Sequence, residues 1–134
     1  MLVPFARHRK PGARAAPSTA SALTDPAMFI HAVYFSLRED LPEAERAQFI
    51  AGLHALRGIE SVREGYIGVP AATDRPVIAR DYSHALVLVF PDVEAHDTYQ
   101  QHPVHDRFRD ECSDYWTGVR IYDSVGDAET GTHG

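Results

Sequence analysis

Apolar and polar positions along the chain fall into six blocks separated by turn-rich segments. Phe29 to Leu37 (FIHAVYFSL) gathers aromatic and β-branched residues and stops at the polar Arg38-Glu39-Asp40, which predicts a strand. From Pro42 to Arg57, Phe49, Ile50, Leu53 and Leu56 recur on one helical face, and Glu43 and Glu45 sit where the positive end of a helix dipole favours them. Pro42 in the first turn and Gly58 as the stop predict a helix over 42–57. Ser61 to Val69 reads as a strand interrupted by Gly65 and Gly68, the pattern of a bulge or a close backbone approach. Residues 70–80 lack periodicity and form a loop that exposes Arg75 and Arg80. Tyr82 to Phe90 (YSHALVLVF) is the strongest strand signal. Asp92 then caps a helix to about Gln101, His102-Pro103 restarts it, and the kinked pair spans 93–116. Val119 to Val125 closes the domain as a short strand.

The order βαββαβ predicts an α+β fold, a ferredoxin-like subunit with an antiparallel sheet and helices on one face. Alternation then adds a constraint. In Tyr82–Phe90 one face holds His84, Leu86, Leu88 and Phe90 and the other Ala85, Val87 and Val89; in Phe29–Leu37 the faces are His31/Val33/Phe35 and Ala32/Tyr34. Both faces are apolar, and two helical elements cover only one of them. A homodimer packing sheet against sheet is the simplest cover for the other.

Composition narrows the function classes. Of 134 residues, 44% are hydrophobic and 24% charged, ordinary values for one globular domain. Residues 1–27 carry Arg7, Arg9, Lys10 and Arg14 against Asp25 and read as a disordered basic, Pro-rich tail; a transit peptide is the other reading, and Met28 raises the alternative of a mis-assigned start. Residues 126–134 read as a second disordered tail. The domain at 28–125 keeps nine basic and sixteen acidic residues, so it is more acidic than the net charge of −6 suggests. That balance speaks against nucleic acid as a partner. No apolar run is long enough to cross a membrane. Cys112 is the single cysteine and asks for no oxidising compartment, which places the protein in the cytoplasm by default.

The candidate chemistry is histidine-rich, with eight in the chain. In Tyr99-Gln-Gln-His102-Pro-Val-His105, a helix restart at Pro103 puts His105 at the third helical position, where its ring turns inward toward Tyr99 across the kink. Imidazole takes up a proton near neutral pH, and a phenol hydrogen-bonds a carbonyl oxygen as it gains enolate character. The same residues also suit a His cap and a Tyr packing the kink, and His31 and His84 also suit buried histidines with one hydrogen bond each. A metal at His102 and His105 with His96 or Asp106 is a weaker reading, because Pro103 separates the pair and neither HExxH nor a cysteine set is present. Ser83 and His84 are adjacent, so a serine nucleophile has no support. Glycine-rich phosphate loops are absent, and nothing here calls for a cofactor.

Together, His31-Ala-Val-Tyr-Phe, Asp81-Tyr-Ser-His-Ala-Leu-Val87, Tyr99-x-x-His102-Pro-x-His105 and Ile121-Tyr-Asp123 resemble the stress-responsive dimeric A/B barrel (Dabb) family over residues 28–124. The resemblance implies a subunit whose sheet pairs with its mate in a dimeric α/β barrel. The family includes olivetolic acid cyclase, a cofactor-free polyketide cyclase in which a His acts as base and a Tyr assists an aldol condensation. By motif position the catalytic pair falls on His105 and Tyr99, and the pocket histidines on His31 and His84. Phe49, Phe108 and Trp116 fall where the cyclase has pocket aromatics, and Leu53 stands where it has a pocket tyrosine. With Leu86 these residues would shield a small carbonyl-containing or aromatic ligand. A ligand-binding homodimer and a cyclase-like enzyme both follow from this set.

Overall fold

The computed structural model describes residues 28–126; the two tails read from the sequence lie outside them, apart from Gly126. The elements are β1 (Phe29–Leu37), α1 (Glu43–Arg57), β2 (Glu64–Gly68), β3 (His84–Phe90), α2 (Val93–Gln100), α3 (Pro103–Cys112), a 3₁₀ turn (Ser113–Tyr115) and β4 (Trp116–Val125). The four strands form one antiparallel sheet in the order β2-β3-β1-β4, the ferredoxin-like arrangement that the element order predicts.

Alternation along β1 decides which face is covered. Phe29, His31, Val33, Phe35 and Leu37 are buried, while the residues between them are half-buried. Helix side chains reach only this face: Phe49 of α1 meets Phe35 edge-on at 5.0 Å between ring centroids, and His96 of α2 stacks on Phe29 at 4.3 Å. The register sets Ala32 beside Val87 and Tyr34 beside Ala85 on the opposite face, together with Tyr66 and Tyr122 from the flanking strands. No helix among the described residues packs there.

Local chemistry accounts for the boundaries. Pro42 is the N-cap of α1 rather than its first residue, and the N–H groups of Glu45 and Arg46 bond to its carbonyl. Asp92 accepts a hydrogen bond from the Ala95 N–H at 2.9 Å, as an N-cap aspartate should. Gly65 marks a close approach and not a bulge: a Cβ there would lie 2.5 Å from Cγ of Arg57 and 2.9 Å from Cδ2 of Leu88, and the β2–β3 register is continuous. The helical pair ends earlier than the sequence pattern predicts. After Cys112 the chain makes one 3₁₀ turn, and β4 starts at Trp116, three residues before the apolar alternation begins. Thr117 and Gly118 hide that start, because pairing with β1 and a register shift at Ser36/Leu37 create it.

Candidate functional site

The helices pack over β1 and β3 and leave the inner side of β4 open, with Val119 and Ile121 41% and 53% exposed. Between that rim and the helices lies a cavity of about 360 Å³, lined by Val33, Phe35 and Leu86 of β1 and β3, by Trp116 of β4 and by Phe108 of α3. Phe108 and Trp116 stack at 5.7 Å and Phe35 packs on Trp116 at 5.0 Å, so part of the lining is a contiguous aromatic cluster. The size suits a small organic ligand.

Six polar residues line this largely apolar space: His31, Tyr99, Gln100, His105, Arg109 and Ser113. The turn between α2 and α3 sets two of them. His102 is the N-cap of α3, its Nδ1 accepting from the Val104 N–H at 3.0 Å, and Pro103 opens the helix. That geometry turns His105 back across the kink, where its ring meets Tyr99 edge-on at 5.0 Å. Tyr99 is almost wholly buried, and burial pushes its phenol well above the ordinary value, so it stays a protonated donor. His105 is shifted the other way, by burial first and then by Arg109, so it is a neutral imidazole at pH 7. Its Nδ1 is buried and has no hydrogen-bond partner among the described residues.

His31 sits on β1 opposite Asp123 of β4, and its Nδ1 lies 2.6 Å from Asp123 Oδ1. A neutral imidazole that donates Nδ1–H to the carboxylate keeps its lone pair on Nε2. Burial lowers the pKa of His31 and the Asp123 carboxylate pulls it partly back. Sequence reasoning placed Asp123 only in a motif and missed this contact across 92 residues; the signal that finds it is the antiparallel register, which sets His31 against Asp123.

The cavity thus brings together His31, Leu86, Tyr99, His105, Phe108 and Trp116 of the residues singled out from the sequence. It does not include the other three. Phe49 and Leu53 are fully buried core residues, Phe49 enclosed by the Phe35, Phe108 and Trp116 rings. His84 is half-buried against the Phe49 ring at 5.4 Å, and burial followed by Arg46 lowers its pKa. Ser83 does touch His84, at 3.2 Å, yet its hydroxyl already donates to the Phe35 carbonyl and accepts from the Leu37 N–H, which leaves no activated nucleophile. His102 turns toward Glu60 at 3.5 Å and does not share a ligand position with His105.

The fold recurs among solved structures. A hydroxynitrile lyase from Passiflora edulis aligns with a TM-score of 0.64 at 21% identity, covering 76% of this chain and 95% of its own. A Dabb family protein from Mesorhizobium loti gives 0.62 at 25% identity over 75% and 98%. A dimeric ferredoxin-like protein of unknown function from Thermobifida fusca gives 0.61 at 18% over 75% and 92%. No curated protein matches the sequence. The Stress responsive A/B Barrel Domain signature matches residues 29–125, nearly every described residue, and with the fold and motifs above this assigns the chain to the Dabb family.

Proposed function

We propose that the protein is a homodimer that binds a small carbonyl-containing or aromatic molecule in the cavity between α3 and β4. The carrying observation is the Tyr99–His105 contact at 5.0 Å inside an aromatic-walled space of about 360 Å³. Apolar walls supply binding energy, and the few polar groups orient a carbonyl. The dimer is supported by the uncovered apolar face around Ala32, Ala85 and Val87 and by the dimeric Thermobifida fusca relative. The single cysteine, Cys112, is buried and has no second cysteine to pair with, which suits a reducing compartment such as the cytoplasm.

A catalytic reading of the same cavity rests on Nδ1 of His105, which has no partner among the described residues. A neutral imidazole accepts a proton from a carbon α to a carbonyl. The electron pair moves onto the carbonyl oxygen, where the Tyr99 O–H stabilises it, and the enolate carbon attacks a second carbonyl of the same molecule. The new alkoxide then takes the proton back from His105. The same fold carries an enzyme in the Passiflora hydroxynitrile lyase.

Trp116 is the single tryptophan and lines the cavity, so its fluorescence reports occupancy. Titration with linear β-polyketones should shift that emission saturably, and cyclised product should accumulate in the wild type but not in His105→Ala or Tyr99→Phe. Turnover that survives both substitutions refutes the catalytic roles. Saturable binding without turnover retains only the binding reading, and no shift with any β-polyketone or aromatic ketone removes both.

A further inference from the structure

Next to the cavity, three side chains from three elements converge, two of which, His96 and Asp123, take no part in the proposed reaction. We propose that His31 of β1, His96 of α2 and Asp123 of β4 form a binding site for a divalent first-row transition ion of the Zn²⁺ type. One ligand atom from each lies within 4.8 Å of the other two. The His31 and His96 ring centroids are 5.0 Å apart, and His31 Nδ1 is 2.6 Å from Asp123 Oδ1.

The donor set selects the ion. Two imidazoles and one carboxylate suit Zn²⁺ and its neighbours, whereas Mg²⁺ and Ca²⁺ demand mainly oxygen. Bonds of roughly 2.0–2.2 Å in a tetrahedral site put ligand atoms about 3.3 Å apart. Separations of at most 4.8 Å close by up to about 1.5 Å through side-chain rotation, while the His31 Nδ1–Asp123 Oδ1 pair, at 2.6 Å, gives up its hydrogen bond and opens by about 0.7 Å.

Packing holds two of the ligands in place beforehand. Phe29 stacks on the His96 ring at 4.3 Å and Phe90 meets it edge-on at 5.5 Å, so the imidazole is clamped although it lies on a two-turn helix. Among the described residues its nitrogens have only long partners, Asp97 Oδ1 at 3.4 Å and Gln100 Nε2 at 3.3 Å. The first can remain as an outer-shell carboxylate and the second is readily given up. His31 is fixed between strands, with a side chain 5% exposed, while that of Asp123 is 42% exposed and opens the site to solvent. Three protein ligands leave a coordination position free, the arrangement of a Lewis-acid site and not of a closed structural one. His31 also lines the cavity, so the site adjoins it.

The site does not depend on His105 acting as a base. The test titrates Co²⁺ and Zn²⁺ into the metal-stripped full chain, following Co²⁺ by its visible d–d bands and Zn²⁺ by competition. One tight equivalent per chain is expected, with His96→Leu and Asp123→Asn each weakening it by at least the roughly 10–100-fold that loss of even an outer-shell partner costs. His105→Ala and His54→Gln should leave it unchanged, and circular dichroism confirms that the variants fold. Absence of a tight equivalent overturns the site, as does equal affinity in wild type, His96→Leu and Asp123→Asn, which would put the ion on other histidines. Loss of cyclisation with Co²⁺ binding intact, or the reverse, separates this site from the cavity reading.

Discussion

Replacing His105 by Phe should make the protein more stable while emptying the cavity of function. Nδ1 of His105 is buried without a partner among the described residues, and a buried unsatisfied polar atom costs about 1–3 kcal/mol. Phenylalanine removes that cost and keeps the edge contact with Tyr99 at 5.0 Å. Its extra bulk has room in the adjoining space of about 360 Å³, so overpacking does not offset the gain. For a domain of this size, each kcal/mol moves Tm by about 4–8 °C, which predicts a rise of at least about 4 °C. The assay is a thermal melt of wild type and variant at equal protein concentration, pH 8 and with chelator present, since dimerisation and metal would otherwise shift both curves. Ligand-induced change in Trp116 emission should vanish in the same variant. A Tm that stays level or falls refutes the reasoning, because it would mean that Nδ1 has a stabilising partner, such as an ordered water.

Three further outcomes follow from the same geometry. Burial lowers the pKa of His31, His84 and His105, so below about pH 6.5 the unfolded chain takes up protons that the folded chain refuses; their contribution is present above that pH and lost as it falls. The urea midpoint with chelator should therefore be lower at pH 5.5 than at pH 8, and equal midpoints would contradict the shifts. Val87→Glu places a carboxylate on the uncovered face beside Ala32 and Tyr66, and an uncompensated buried charge costs about 3–5 kcal/mol, so light scattering at micromolar concentration should show monomers. Gly52→Ala puts a Cβ 2.6 Å from Cδ1 of Phe108; forcing that ring toward the cavity should cost about 1–3 kcal/mol in denaturant melts and weaken ligand binding.

Much of this site was legible because its parts are local. The His102-Pro103 restart, the inward turn of His105 and its meeting with Tyr99 lie within seven residues, and capping and helix geometry alone dictate them. Phe49 and Leu53 show the limit. Helical periodicity puts them on the inner face of α1 but does not distinguish a side chain packed into the core from one at a cavity edge, since both are apolar and inward.

The sequence by itself determined the element order, the antiparallel ferredoxin-like class, the two apolar faces of the sheet and the Tyr99–His105 pair, because hydrophobic period and turn chemistry act over a few residues. Only the tertiary structure decided where β4 begins, that the helices stop short of it and so leave a cavity, and that Asp123 and His96 stand against His31. Those facts depend on strand register and on how α2 and α3 settle on the sheet. A one-residue slip of β4 would turn Asp123 to the opposite face and dissolve the site.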